Sequence, residues 1–327
     1  MSADRSSALP IVAALPALSS ALASNARVIL EAPPGAGKST YLPLWLCERG
    51  ADARQRIILI QPRRLAAASV ANYLAEQSGQ RLGERVGLRT RFDKKISDST
   101  IIEVVTEGIF LRQIQRDPEL SGVRYVLFDE YHERSWQADL ALGLALETQT
   151  QWRAANAPLQ LIVMSATLPT AMIADWLAAP VVRAQGRSFP VAIDYRPPGR
   201  SDVIDHTVAE IRAALTRGAR RVLVFLAGWQ PMKKIQQRLA GGNCEVLMLH
   251  SSVPPEQQQR AMNFSANAAP SVVLATNIAE TSLTIPGVDT VIDSGQVRRA
   301  NFDPKRGMDR LETGWISRAS AEQRMGR

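Results

Sequence analysis

The sequence predicts an α/β protein built as two successive units, each with a mainly parallel sheet. Three observations carry this. Short apolar runs of strand length recur at residues 28–30, 57–60, 101–105, 123–128 and 161–164, and they are continuously apolar instead of alternating. That is the pattern of strands covered on both faces. Between them, residues 41–49, 65–77, 109–115 and 140–150 place apolar side chains at helical spacing. After a stretch punctuated by Gly186, Pro190, Pro197, Pro198 and Gly199, the alternation begins again.

Taken in order, residues 8–23 are apolar and superficially resemble a secretion signal. Pro10 and Pro16 interrupt the run, which leads directly into the first strand, so it is predicted to be a packing helix. The second unit reads as a helix at 203–215, a strand at 222–226, a helix at 231–239 and a strand at 245–249. A helix at 256–264 and strands at 272–275 and 290–293 follow, then a β-hairpin over 300–316 turning at Pro304-Lys305-Arg306-Gly307. The predicted domains are 1–187 and 188–327.

At 327 residues, with 46% hydrophobic and 21% charged residues, the composition is that of a globular chain with two cores. The formal charge of +8 favours a polyanionic partner such as nucleic acid. Cys47 and Cys244 are far apart and make no metal spacing, so they read as reduced thiols of a cytoplasmic protein. No run reaches the ~18–20 apolar residues of a membrane span.

Two segments carry chemistry. After the first strand comes Ala32-Pro33-Pro34-Gly35-Ala36-Gly37-Lys38-Ser39-Thr40. A glycine-rich turn leaves its backbone N–H groups free to cradle a phosphate, so residues 34–40 are the predicted nucleotide-binding loop. Lys38 supplies charge for the β- and γ-phosphates, and Ser39 a hydroxyl for Mg²⁺. Ala32 stands where the strict pattern has its first glycine. The strand at 123–128 ends in Asp129-Glu130-Tyr131-His132. Asp129 is suited to hold the same Mg²⁺, with Glu130 as a further expected metal-site carboxylate beside it that also orients or deprotonates the attacking water. The second unit has no phosphate loop of its own. A nucleotide cleft between the two units is therefore expected, with ATP (other nucleoside triphosphates being alternatives) as the nucleotide.

With Asp129-Glu130-Tyr131-His132, the chain resembles the DEAH-type superfamily 2 helicases, in a form close to the bacterial HrpB-type branch. Eight segments stand in that family's order. Besides the two above, Gln61-Pro62-Arg63-Arg64-Leu65-Ala66-Ala67 resembles motif Ia and Thr106-Glu107-Gly108 motif Ib. Ser165-Ala166-Thr167 is similar to motif III, Phe225-Leu226-Ala227-Gly228 to motif IV and residues 275–285 to motif V. Gln323-Arg324-Met325-Gly326-Arg327 resembles the first part of motif VI. A lone Ser-Ala-Thr is nearly worthless; eight in register are specific.

The resemblance implies two tandem RecA-like domains and nucleic-acid-stimulated ATP hydrolysis that drives translocation, 3′ to 5′, and unwinding. The expected partner is single-stranded or duplex RNA, with DNA as the alternative, and the expected state is monomeric. Arg63, Arg64, Thr106, Ser251, Asn277 and Thr281 are the expected nucleic-acid contacts, gripping the backbone without reading bases. His132 is expected to link the nucleotide site to motif III or to the opposite domain, and Ser165 and Thr167 to complete the coupling. Gln323, Arg324 and Arg327 join Lys38, Asp129, Glu130 and His132 as expected catalytic residues. Gln323 is expected to hold the water or γ-phosphate, with Arg327 as a finger. The family pattern continues with another Gly-Arg pair, so the motif is expected to be cut here, and a binding fragment with little turnover is the competing expectation. Tyr73 and Phe264 are the nearest aromatic candidates for base recognition, and the hairpin is a candidate wedge.

Overall fold

The structure, a computed structural model, describes residues 9–33, 35–52, 54–153, 159–166, 170–185, 191–265, 269–280 and 285–327. Pro34, Thr167 and Thr281 therefore lie outside the described residues. The chain divides into two compact units, Met1–Ser188 and Phe189–Arg327.

The first unit begins with α1 (Pro10–Ser24), which has proline at its first position, where no N–H is needed, and buries Ile11, Leu15 and Leu18. It packs on β1 (Arg27–Glu31) and β8 (Val181–Arg183). Between these lie α2 (Leu42–Glu48), β2 (Arg56–Gln61), α3 (Arg64–Gln77), β3 (Val86–Arg89), β4 (Lys94–Lys95) and β5 (Ile102–Thr106). Then come α4 (Glu107–Arg116), β6 (Val123–Phe128), α5 (Trp136–Glu147), β7 (Gln160–Ser165) and α6 (Thr170–Leu177). The eight strands order as β4-β3-β5-β2-β6-β7-β1-β8, parallel except for the β3–β4 pair.

Alternation along each strand divides the core between the two faces. Val28, Leu30, Ile57 and Leu59 meet α1, α2 and α3 on one side. Ile29, Ile58, Ile60, Val126 and Phe128 meet α4 and α5 on the other. Both faces being covered explains why these strands read as unbroken apolar runs. Phe110 and Phe128 meet edge to face at 6.0 Å, fixing α4 against the end of β6.

The second unit contains α7 (Val203–Thr216), β9 (Arg221–Phe225), α8 (Trp229–Leu239), β10 (Glu245–Leu249), α9 (Pro255–Met262), β11 (Ser271–Ala275) and β12 (Thr290–Asp293). Its four parallel strands order as β10-β11-β9-β12. An antiparallel hairpin, β13 (Gln296–Asp303) and β14 (Met308–Trp315), leads into α10 (Arg318–Met325).

Several bounds differ from the sequence reading. α5 begins at Trp136 and not at 140, because Ser135 caps it by accepting the Ala138 N–H at 2.9 Å. Its first turn buries only Ala138 and leaves Trp136 exposed, so apolar spacing could not reveal it. β9 begins with Arg221, whose buried guanidinium donates to the Ala261 and Asn263 carbonyls at 2.6 and 2.8 Å. Helix α9, later in the chain, ends at Met262, short of the expected 264, because Asn263 is extended and offers one of those carbonyls. β3, β4, β8 and α6 were not anticipated; the three strands are short and lie at or next to the sheet's edges, α6 is a short helix packed on β1, and β4 is two exposed lysines.

Candidate functional site: the phosphate loop and the acidic turn

The order β6-β7-β1 sets the geometry of the first unit's site. The phosphate loop leaves β1, the acidic segment leaves β6, and the end of β7 lies between them. Ala32 N–H donates to the Ser165 carbonyl at 2.9 Å, so the loop starts as a continuation of the sheet. Ala32 is buried and does not have the positive φ that would demand glycine, so alanine is tolerated there. The left-handed positions are Gly35 (φ 73°) and Gly37 (φ 96°). A Cβ on Gly37 would lie 3.0 Å from Ile11 Cγ2, so α1 presses on the loop from behind. The Ile11 N–H, an orphan donor of the first helical turn, binds the Ala36 carbonyl at 3.1 Å.

Lys38 is buried, and its ammonium donates to the Ala32 carbonyl at 2.6 Å. Ser39 Oγ donates to Asp129 Oδ2, which also accepts from Gln61 Nε2 at 2.5 Å. Asp129 Oδ1 accepts the Glu130 N–H at 2.9 Å. Loop and acidic turn are thus joined directly through Ser39 and Asp129. Gln61 was quoted in the sequence only as the start of a motif. Its role follows from β2 pairing with β6, which brings the ends of the two strands together, and no local signal announces it.

Burial and then the charge of Glu130 push the Asp129 carboxyl up to about 6, against the opposing pull of Lys38 and the hydrogen bonds from Ser39 and Gln61. The Ser39 hydroxyl and the Asp129 carboxylate, joined directly, are both oxygen donors. This fits a hard divalent cation such as Mg²⁺, with Ser39 and Asp129 as its holders.

Glu130 and Arg134 are non-glycine residues with left-handed backbones (φ 49° and 44°) and bracket a single 3₁₀ turn, Tyr131–Glu133. Such conformations cost on the order of 1–3 kcal/mol each and persist only where surroundings over-determine them. Here they do. Tyr131 donates to Asp139 at 2.8 Å, and His132 Nε2 lies 3.3 Å from Glu130 Oε2. His132 Nδ1 accepts the Ala166 N–H at 3.3 Å. Arg63 donates to Glu133 through Nε (3.2 Å) and Nη2 (2.9 Å). Ser135 Oγ donates to Glu107 at 2.7 Å. Burial holds the Glu107 carboxyl above the usual range, partly offset by that hydrogen bond and reinforced by the charges of Glu133 and Asp139.

Of the expected backbone-gripping residues in this unit, Arg63 stands just before α3 without a side-chain cap bond, and Arg64 lies over the exposed Phe92 ring at 5.0 Å. Thr106 precedes α4 without a side-chain cap bond. Ser165, at the end of β7, is fully buried. Tyr73 is exposed on α3.

In the second unit, Asn277 opens a 3₁₀ turn after β11, and Ser251 lies in the exposed turn after β10. Gln323 is buried on α10, and Arg324 is only 1% exposed. Arg324 donates from Nε to Glu280 at 2.9 Å and from Nη1 to Asp293 at 2.8 Å, with its guanidinium 4.8 Å from the Phe225 ring centroid. Closed off between two carboxylates, it holds α10 to β12 and to the middle of motif V. Ser320 donates to the same Glu280 carboxylate, and Arg327 Nε donates to the Glu280 carbonyl at 2.9 Å. Glu280 therefore organises the whole last helix, a role the sequence reading did not assign. Phe264 lies under the Arg221 guanidinium and against Gly287, where a Cβ would fall 2.5 Å from the ring. The hairpin is exposed along nearly its whole length, with Phe302, Leu311 and Trp315 uncovered.

Comparison with known proteins gives two family matches. A "DEAD/DEAH box helicase" model matches residues 13–175, and a "Helicase conserved C-terminal domain" model matches residues 203–327. The chain is 45% identical over 326 residues to the ATP-dependent RNA helicase HrpB of Escherichia coli (strain K12), covering 98% of this chain and 40% of that protein. It is 33% identical to the Arabidopsis thaliana pre-mRNA-splicing factor ATP-dependent RNA helicase DEAH10, covering 99% of this chain and 52% of the relative. A crystal structure of the Escherichia coli DEAH/RHA helicase HrpB matches with a TM-score of 0.90 at 44% identity, over 98% of this chain and 41% of that one. The chain thus spans about two fifths to one half of the length of these relatives.

Proposed function

The chain belongs to the DEAD/DEAH box helicases, and from that premise we propose that it couples ATP hydrolysis to movement along and unwinding of RNA. The observation that carries the reading is the direct join of Ser39 to Asp129, which unites the phosphate loop with the acidic turn in one unit. Likeness to two proteins named as ATP-dependent RNA helicases supports RNA over DNA.

In this reading Lys38 leaves the Ala32 carbonyl to meet the β- and γ-phosphates of ATP, and the backbone of residues 35–40 cradles them. Mg²⁺ held by Ser39 and Asp129 would neutralise charge developing on the phosphoryl oxygens. Glu130 takes the proton of the attacking water, with His132 fixing the carboxylate's orientation. Gln323 and Arg327 are the second unit's contribution, with Arg324 holding their helix. Arg64, Thr106, Ser251, Asn277 and Thr281 grip the phosphate backbone together with Arg63. Movement is 3′ to 5′, and the working state is a cytoplasmic monomer, a location with which the free cysteines Cys47 and Cys244 agree.

Steady-state ATP turnover with and without poly(U) tests this. The expected result is stimulation of several-fold by RNA, abolished by Lys38→Ala. Turnover indifferent to RNA, or surviving that substitution, contradicts the proposal.

A further inference from the structure

The turn that follows the acidic pair sends each of its side chains to a different part of the unit. His132 bridges Glu130 and the Ala166 N–H at the end of β7. One residue on, Glu133 accepts two N–H groups from Arg63 at the start of α3. Two residues further, Ser135 binds Glu107 at the start of α4. The Glu130 carboxylate and the residues at the β2–α3 and β5–α4 junctions are thus joined through the six residues 130–135. A single 3₁₀ turn closed at either end by left-handed backbone has few internal degrees of freedom, so its side chains shift together.

The Arg63–Glu133 pair is not there chiefly for stability. Both side chains keep partial exposure, 24% and 16%, and ion pairs so placed are screened and add little to folding. What the pair does is orient a guanidinium that opens a helix, in a position suited to a backbone phosphate. It also places a carboxylate where it competes with that phosphate.

We propose that Glu133 is a positioning residue that couples the nucleotide site to the grip on RNA, acting through Arg63. This rests on the helicase reading above. When Glu130 and His132 rearrange around the nucleotide, the shared turn carries Glu133 with them and changes how Arg63 is presented to the strand. Basal hydrolysis does not pass through Glu133; RNA stimulation does.

Glu133→Gln keeps the shape of the side chain and an acceptor oxygen but removes the charge, and it is tested on the full chain with an oligo(U) single strand. The expected result is basal ATP turnover within about two-fold of the parent, with stimulation at saturating RNA falling at least about five-fold. Oligo(U) binding measured without nucleotide stays within about three-fold, because Arg63 remains available to phosphate. Glu133→Asp restores part of the stimulation. Full stimulation in Glu133→Gln overturns the proposal. So does a loss of basal turnover and stimulation in equal proportion with a lowered melting temperature, which is what a purely structural role gives. Failure of RNA to stimulate the parent chain removes the helicase reading itself, and is distinguishable because it does not involve the variant.

Discussion

His132 and Glu130 form one buried unit: the imidazole Nε2 lies 3.3 Å from Glu130 Oε2, and both side chains are only 7% exposed. The other ring nitrogen accepts the Ala166 N–H, so it carries no proton, and the proton sits on the nitrogen facing the carboxylate. The Glu130 carboxylate, the base in the proposed mechanism, is therefore aimed from the end of the strand next to its own. A hydrogen bond to a charged group contributes about 1.5–3 kcal/mol, so His132→Ala is expected to slow hydrolysis by roughly 10- to 100-fold. Nucleotide affinity, measured with a fluorescent ATP analogue, should change far less. Equal losses in both would mean that His132 serves binding and not the orientation of Glu130.

Glu107 gives a pH dependence with a definite sign. Its carboxyl is held above the ordinary glutamate value, so the folded state binds that proton more tightly than the unfolded chain. Its contribution favours folding at low pH and is lost as pH climbs from the ordinary value through the raised one. Glu107→Gln, which can still accept the Ser135 hydrogen bond, should therefore gain stability relative to the parent through that window and stay ahead at neutral pH. Urea unfolding of both proteins at pH 4, 5, 6 and 7 reads this directly; parallel curves would refute it.

Arg324 and Arg327 should separate cleanly. Removing Arg324 takes the buried partner from the Glu280 and Asp293 carboxylates, which are themselves 13% and 24% exposed, so the cost should fall below that of a fully buried pair, about 3–5 kcal/mol. Arg324→Ala is expected to lower the unfolding midpoint markedly. Arg327→Ala should leave the midpoint nearly unchanged while slowing hydrolysis on the order of 10³-fold or more, as loss of an arginine finger does. An unaltered melting profile in Arg324→Ala would remove its assignment as the anchor of α10.

The phosphate loop offers a paired test of what α1 does. Gly35 and Gly37 both have positive φ, but only at Gly37 would a Cβ meet a neighbour, Ile11 Cγ2 at 3.0 Å. Backbone strain of about 1–2 kcal/mol is common to alanine at either position. Gly37→Ala should therefore melt below Gly35→Ala in the absence of nucleotide. A reversed order would show that the loop does not rest on α1.

Much of this was legible in the sequence because parallel strands buried on both faces leave continuous apolar runs, as Val28, Ile29 and Leu30 do. The glycines at 35 and 37 announced the loop because no other residue adopts their backbone cheaply. What stayed hidden depends on contacts distant along the chain. Gln61 reaches Asp129 only because β2 pairs with β6, and Glu280 gathers Ser320, Arg324 and Arg327 from 40 or more positions away. Neither carries a local pattern. Ser135 could have been read as a helix cap, since a serine before an Ala- and Leu-rich run is a start signal. The first turn, with Trp136 exposed and only the small Ala138 buried, masked it.

The measurement that bears most directly on the account is single-turnover hydrolysis by Glu130→Gln with enzyme in excess over radiolabelled ATP. If Glu130 activates the attacking water while Lys38, Ser39 and Asp129 hold the nucleotide, the variant binds Mg²⁺–ATP within a few-fold of the parent. Its hydrolysis is slowed at least about 100-fold, the lower range for loss of a general base. Hydrolysis at the parental rate would contradict the assignment of the acidic turn as the catalytic centre.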